Sequence, residues 1–286
     1  MEVAIRSGAL LGEGPRWDAA SGRLLWVDIE AGELHVFDPD GGADRAIRLG
    51  KRVGAAAPTE NGGVLVALAD ELAVVDLGDE SVRTLVEIRH GDGMRLNDGA
   101  CDPAGRFWVG SMALDYAPGQ GALYRYSSDG GLERMLDEVT ISNGLGWSLD
   151  GTTMYYIDSM AYRVDRFDFD LATGAIADRR PFIVIERGGG IPDGLAVDDE
   201  GGIWVALWGK GAIRRYAPDG ELDRVLSVPA DKVTACCFGG DDGRSLYVTT
   251  ASVELSPEQR AGQPLAGSVF VTEVDVSGPP ARPFAG

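Results

Sequence analysis

Hydrophobic positions along the chain fall into short β-branched and aromatic runs, most of them introduced by a glycine and separated by polar turns. GRLLWVD starts at Gly22, GVLVAL at Gly63, GRFWVG at Gly105, GTTMYYID at Gly151, GIWVAL at Gly202 and GRSLYVTT at Gly243, so the glycines are spaced 41, 42, 46, 51 and 41 residues apart. A recurrence on that scale is the length of one four-stranded propeller blade. The fifth repeat reads as four strands, GLAV, IWVAL, AIRRYA and LDRVLSV, divided by Glu200-Gly201, Gly209-Lys210-Gly211 and Asp219-Gly220. The fourth reads as GLGWS, TMYYI, RVDRFDF and PFIVI. The sixth gives only TACCF, SLYVT and SVFVTEVDV before GPPARPFAG, which is too proline-rich for a central strand. The N-terminal VAIRS is therefore expected to supply the missing strand, closing the ring and removing a sheet edge. The expected fold is all-β, a six-bladed propeller with four-stranded blades, formed by residues 1–286 as one domain.

Composition sharpens this picture. The 41 glycines lie in turn-like clusters rather than in a low-complexity tract, as many short strands require. With 26 Lys and Arg against 45 Asp and Glu, the net charge is −19, which argues against nucleic acid or an anionic membrane surface as partner and favours a cation. No apolar run approaches the ~18 residues of a membrane helix, and MEVAIRSGALLGEGP lacks the hydrophobic stretch of a signal peptide. Adjacent Cys236 and Cys237 with a distant Cys101 read as free thiols, so a cytoplasmic location is expected. The two histidines, His35 and His90, cannot form a two-His metal motif.

The candidate chemistry comes from the phase of the repeat. Counting eight positions back from Gly105, Gly151 and Gly201 finds Asn97, Asn143 and Asp193, in LNDG, SNGLG and PDGL, and Glu13 in LGEGP stands nine before Gly22. Repeats two and six carry Ala55 and Ala235 at the matching places. Residues just ahead of each blade's first strand converge on one mouth of the central channel, so two carboxylates and two carboxamides should share one space. Such hard oxygen donors suit Ca²⁺, Mg²⁺ or Mn²⁺ and can also hold Zn²⁺. Asn-Gly and Asp-Gly are also ordinary turn pairs, but turn chemistry does not account for Glu13. Arg95, two residues before Asn97, would flank the same mouth and could hold an oxygen-rich substrate. There is no GxSxG elbow or P-loop, and Asp38-Pro39-Asp40-Gly41 departs from a calcium loop. Trp26, Trp108, Trp147, Trp204 and Tyr247 read as packing between blades, and Trp208 follows a strand close enough to reach the mouth.

The strings LGEGP, RLNDGACDPAGRFWVGSM, ISNGLGWSLDGTTMYYIDS, DFDLATGAI, IPDGLAVDDEGGIWVALW and CCFGG, in that order over nearly the whole chain, resemble the regucalcin (senescence marker protein)/gluconolactonase family. The resemblance implies a six-bladed propeller holding one divalent cation and hydrolysing sugar lactones. It places metal ligands at Glu13, Asn143 and Asp193 and substrate contacts at Arg95 and Asn97. The short MALDYAPGQGALY replaces a longer acidic segment of the animal proteins, so their lid glutamate has no counterpart. The expected activity is hydrolysis of a small-molecule aldonolactone, such as gluconolactone or a pentonolactone, with Asp193 as general base and a monomer as the simplest assembly. A calcium-binding protein without enzymatic activity, or a hydrolase of organophosphates on the same metal, are the alternatives.

Overall fold

A computed structural model describes residues 1–286. It contains 24 strands in six separate four-stranded antiparallel sheets. Blade one is β2 (Gly12–Asp18), β3 (Arg23–Asp28), β4 (Glu33–Asp38) and β5 (Ala43–Arg48), and blade two is β6 (Val53–Pro58), β7 (Val64–Leu68), β8 (Glu71–Val75) and β9 (Val82–Glu87). Blade three comprises β10 (Met94–Cys101), β11 (Phe107–Ala113), β12 (Gly121–Ser127) and β13 (Gly131–Val139). Blade four comprises β14 (Ser142–Trp147), β15 (Thr153–Asp158), β16 (Arg163–Phe169) and β17 (Ile176–Val184). Blade five comprises β18 (Ile191–Val197), β19 (Ile203–Trp208), β20 (Ala212–Tyr216) and β21 (Leu222–Ser227). Blade six runs outward from β22 (Val233–Gly239) through β23 (Ser245–Thr250) and β24 (Val269–Glu273) to β1 (Glu2–Ile5), which pairs antiparallel with β24. The N-terminal strand thus closes the ring, as its strand character led us to expect.

The six-fold repeat of sequence becomes six apolar cores, one at each blade-to-blade interface. Leu25, Val27 and Leu34 of blade one pack with Val53, Val64 and Val66 of blade two. The same happens around the ring until Cys237, Tyr247 and Val269 of blade six meet Trp17, Leu24 and Trp26 of blade one, with Ile5 of β1 in that cluster. Side chains alternate across each strand, so both faces of a middle strand enter a core and β7 is buried throughout, whereas β21 is largely exposed. Inner strands converge on the axis and need small residues, as in the Val53-Gly54-Ala55-Ala56-Ala57-Pro58 strand, which is wholly buried.

Trp26, Trp108 and Trp204 are fully buried and Tyr247 nearly so, matching the packing role expected of them. Trp147, which ends the inner strand β14, is partly exposed but packs in the same way, against the core between blades three and four with its ring 6.1 Å from that of Trp108. Two of the buried indoles are held by the same corner. Asp102 accepts from the Trp108 indole at 2.9 Å and from the backbone of Ala104 and Arg106, and Asp198 accepts from the Trp204 indole at 2.8 Å and from Glu200 and Gly202. The proline-rich C-terminal segment forms no strand. Instead it crosses from blade six to blades two and three, where Phe284 is 1% exposed and stacks on Tyr126 at 5.6 Å. No helix is long and apolar enough to cross a membrane.

Candidate metal centre and active site

All five residues singled out by repeat phase and resemblance line one cavity of about 490 Å³ at one end of the channel. Glu13 comes from β2, Arg95 and Asn97 from β10, Asn143 from β14 and Asp193 from β18, so blades one, three, four and five contribute. All five are buried, between 4% and 7% exposed.

The local cause is a β-bulge, and it corrects the expected placement. Glu13, Asn97, Asn143 and Asp193 lie not ahead of the first strands but inside them, where pairing with the second strand slips, between Glu13 and Arg16, Leu96 and Gly99, Ser142 and Leu145, and Pro192 and Leu195, while Arg95 is still in register with Met112. A bulge re-aims a side chain and so turns these into the channel instead of a blade interface. Blades two and six slip between Val53 and Ala55 and between Val233 and Ala235, which makes Gly54 and Thr234 the true counterparts, one residue before the alanines expected. The glycines of the Asn-Gly and Asp-Gly pairs have a reason other than turn formation. A Cβ on Gly144 would lie 2.8 Å from the Asp193 carbonyl oxygen and 2.9 Å from Leu195 N, and one on Gly194 would lie 2.5 Å from the Ala235 Cβ. Bulge glycines are where neighbouring inner strands touch. Gly144→Ala is accordingly expected to cost about 1–3 kcal/mol in urea unfolding and to weaken cation binding, because the backbone carrying Asp193 has to move.

Hydrogen bonds orient most of the polar atoms. Asn97 Nδ2 donates to Ser142 O at 2.7 Å and to Asn143 Oδ1 at 3.0 Å, Arg95 donates to Asn97 Oδ1, and Asn143 Nδ2 donates to Ser159 Oγ at 2.8 Å. Glu13 Oε2 accepts from Gly14 N at 3.0 Å. Asp193 is the exception, since its buried Oδ1 has no partner. Burial pushes the Asp193 carboxyl well above the usual carboxylate range, with the charges of Glu13 and Asp98 adding to the effect. Glu13 is raised too, by burial first and Asp98 next. Arg95 is lowered by its own burial and opposes both shifts only in part.

Two buried carboxylates that repel each other, one with an orphaned oxygen, and a carboxamide oxygen held beside them are the kind of donors a hard divalent cation takes. The cavity residues whose oxygens could hold such an ion are Glu13, Asp193 and the Asn143 amide.

Several cavity residues carried no signal in the repeat. Ser159, on a single 3₁₀ turn (Ser159–Ala161) after β15, has nothing to mark it beyond following Asp158. Tyr116, from the short 113–121 stretch, reaches the mouth and its hydroxyl meets Glu254 at 3.3 Å. Both Tyr116 and Glu254 hold positive φ. The Arg52–Glu30 pair lies at the rim, and Trp208 does reach the cavity, with the Lys232 ammonium 4.6 Å from its ring centre. Below the site Asp98 pairs with Arg16 at 3.1 Å. Arg16 also lines a second cavity, of about 180 Å³, at the opposite end of the channel.

These features agree with what the chain is similar to. The "SMP-30/Gluconolactonase/LRE-like region" matches residues 11–252. The Bacillus subtilis (strain 168) protein named "Putative sugar lactone lactonase YvrE" is 36% identical over 280 residues, covering 97% of this chain and 96% of that one. Regucalcin of Oryctolagus cuniculus is 39% identical over 294 residues, covering 100% and 98%. Among solved structures, a regucalcin from Agrobacterium tumefaciens str. C58, described as a calcium-binding protein, superposes with a TM-score of 0.95 at 31% identity, covering 99% and 96%. A match over residues 11–252, together with relatives above 30% identity that are covered to 96% and 98% of their length, establishes that the chain belongs to the SMP-30/gluconolactonase/LRE-like family.

Proposed function

We propose that the protein is a metal-dependent sugar-lactone hydrolase that opens an aldonolactone, such as gluconolactone or a pentonolactone, to the aldonic acid. The observation that carries this reading is the pair of buried carboxylates, Glu13 and Asp193, facing one cavity with an unpartnered Asp193 Oδ1. Glu13, Asn143 and Asp193 would hold the cation, and a donor set of oxygens accepts Ca²⁺, Mg²⁺, Mn²⁺ or Zn²⁺. When bound, such an ion supplies Lewis-acid polarisation of an ester carbonyl and acidifies water.

The chain's own groups do the rest. An Asp193 oxygen accepts a proton from the attacking water as the water oxygen bonds to the carbonyl carbon. The ring C–O bond then breaks and the proton passes to the departing ring oxygen, leaving a carboxylic acid and a free hydroxyl. Arg95 and Asn97 bind the sugar hydroxyls and fix the ring's orientation. Met112, Ile141, Ile191 and Val253 give the same cavity apolar surface against which the carbon face of the ring can lie. The product ionises to an aldonate, which a chain of net charge −19 does not retain. All three cysteines are unpaired and buried, in keeping with a reducing, cytoplasmic setting.

A pH-stat panel of aldonolactones tests this. Chelator-treated protein should be inactive, and resupply of Ca²⁺, Mg²⁺, Mn²⁺ or Zn²⁺ should restore turnover of at least one five- or six-membered ring. Tight cation binding with a flat rate on every lactone would leave a cation-binding protein and refute the hydrolase.

A further inference from the structure

Polar groups on the cavity floor form one directed chain across three blades. Arg95 Nη1 donates to Asn97 Oδ1, Asn97 Nδ2 donates to Asn143 Oδ1 at 3.0 Å, Asn143 Nδ2 donates to Ser159 Oγ at 2.8 Å, and Ser159 Oγ donates to the Pro192 carbonyl at 2.7 Å. Direction is imposed at both ends, because a guanidinium only donates and a carbonyl only accepts. Ser159 has a single hydroxyl proton. Pro192 O can only accept, so that proton goes there and only lone pairs face Asn143. The Asn143 amide must then turn its NH₂ to Ser159 and its Oδ1 to the channel.

Ser159 is suited to this by where it sits. Asp158 accepts from Thr140 N at 3.0 Å and Ile141 N at 3.1 Å, and Ser159 N donates to Ile141 O at 3.0 Å, so its backbone is fixed to the start of β14. Its hydroxyl nevertheless reaches blade five at the residue before Asp193. It is 2% exposed.

We propose that Ser159 is a positioning residue that aims the Asn143 carbonyl oxygen at the cation and ties it to the backbone carrying Asp193. This rests on the reading that Asn143 and Asp193 hold a divalent cation. An amide's last torsion is broad and roughly two-fold, and without the Ser159 acceptor only the Asn97 donor, at 3.0 Å, still sets which end of the Asn143 amide turns to the channel. The nitrogen is no ligand, and loss of an outer partner of this kind typically weakens metal binding about 10- to 100-fold.

The test is a double-mutant cycle on the full-length protein, read as Mn²⁺ affinity by calorimetry and as the Mn²⁺ electron paramagnetic resonance spectrum. Ser159→Ala should weaken Mn²⁺ at least ~10-fold and broaden the spectrum, and should cost less than about twofold more in the Asn143→Ala background, because it acts through that amide. Affinity within twofold of wild type for a folded Ser159→Ala, or an equal loss in both backgrounds, overturns the proposal. If Ser159→Ala does not fold, Ser159→Thr decides: retained affinity supports the role of the hydroxyl, and a ~10-fold loss in folded protein overturns it. Asn143→Ala binding Mn²⁺ as tightly as wild type overturns instead the cation reading beneath it.

Discussion

Asp193→Asn is expected to lower kcat/KM for lactone hydrolysis by about a thousandfold or more while raising the melting temperature of the metal-free protein. The two effects have one source. In the folded chain Asp193 is 6% exposed, its Oδ1 has no hydrogen-bond partner, and Glu13 lies close enough to push its protonation up. Glu13 and Asp193 both have folded-state pKa values above their ordinary ones. Each therefore costs nothing where both folded and unfolded forms are protonated, and costs progressively more as pH rises above the usual carboxylate range. Asparagine removes one of the repelling charges at nearly constant shape. Melting curves in chelator should thus place the variant above wild type, with the gap widening from mildly acidic to neutral pH. Added cation should raise wild type strongly and the variant little, since a ligand that binds only the folded form stabilises by mass action. A variant that keeps wild-type turnover at full cation occupancy would remove Asp193 from both of its proposed roles.

The framework was legible in the sequence because it is repeated. A glycine and an aromatic run recurring about every 41 to 51 residues can be read from one copy to the next, and the missing fourth strand of the sixth repeat pointed to residues near the N-terminus. The channel residues were legible for the same reason. Their placement was a few residues off, because the inner strands begin earlier than their apolar stretches: β18 starts at Ile191, ahead of the GLAV that marks it, and so takes Asp193 into the sheet. A bulge leaves no hydrophobic signature, only a broken phase. Ser159 and Tyr116 were not legible at all, since each belongs to one blade and matters through a partner far away in sequence, as Tyr116 does with Glu254. Asp102 and Asp198 lay between these extremes. Both stand six residues before a tryptophan, in DPAGRFW and DDEGGIW, but the eye is drawn to the glycine and the aromatic while the acid passes for a turn residue.

Asp198→Ala should be the most damaging single truncation away from the cavity, at about 3–5 kcal/mol. The Asp198 side chain is fully buried and is the hub of a small network. One oxygen accepts from Gly202 N at 2.7 Å and Glu200 N at 3.0 Å, and the other from the Trp204 indole at 2.8 Å and Arg215 Nε at 2.7 Å. Truncation orphans an indole N–H and two backbone N–H groups in a dry corner and strips a charge partner from Arg215, whose side chain is only 8% exposed. For a chain of this size such a loss corresponds to a fall in melting temperature of roughly 10 °C. Two comparisons separate this from a generic charge effect. Asp198→Asn keeps an acceptor for the indole and should lie between Ala and wild type. Glu200→Ala removes a second Arg215 partner at 2.8 Å, but the Glu200 side chain is 68% exposed and the change should cost about 0.5 kcal/mol or less. Lactone turnover measured well below the melting transition should stay within about threefold of wild type in Asp198→Ala, because Asp198 follows the end of β18, five residue steps of roughly 3.3 Å from Asp193. A large loss of turnover in folded Asp198→Ala would mean that the corner holds β18 in register, and that the bulge presenting Asp193 depends on it.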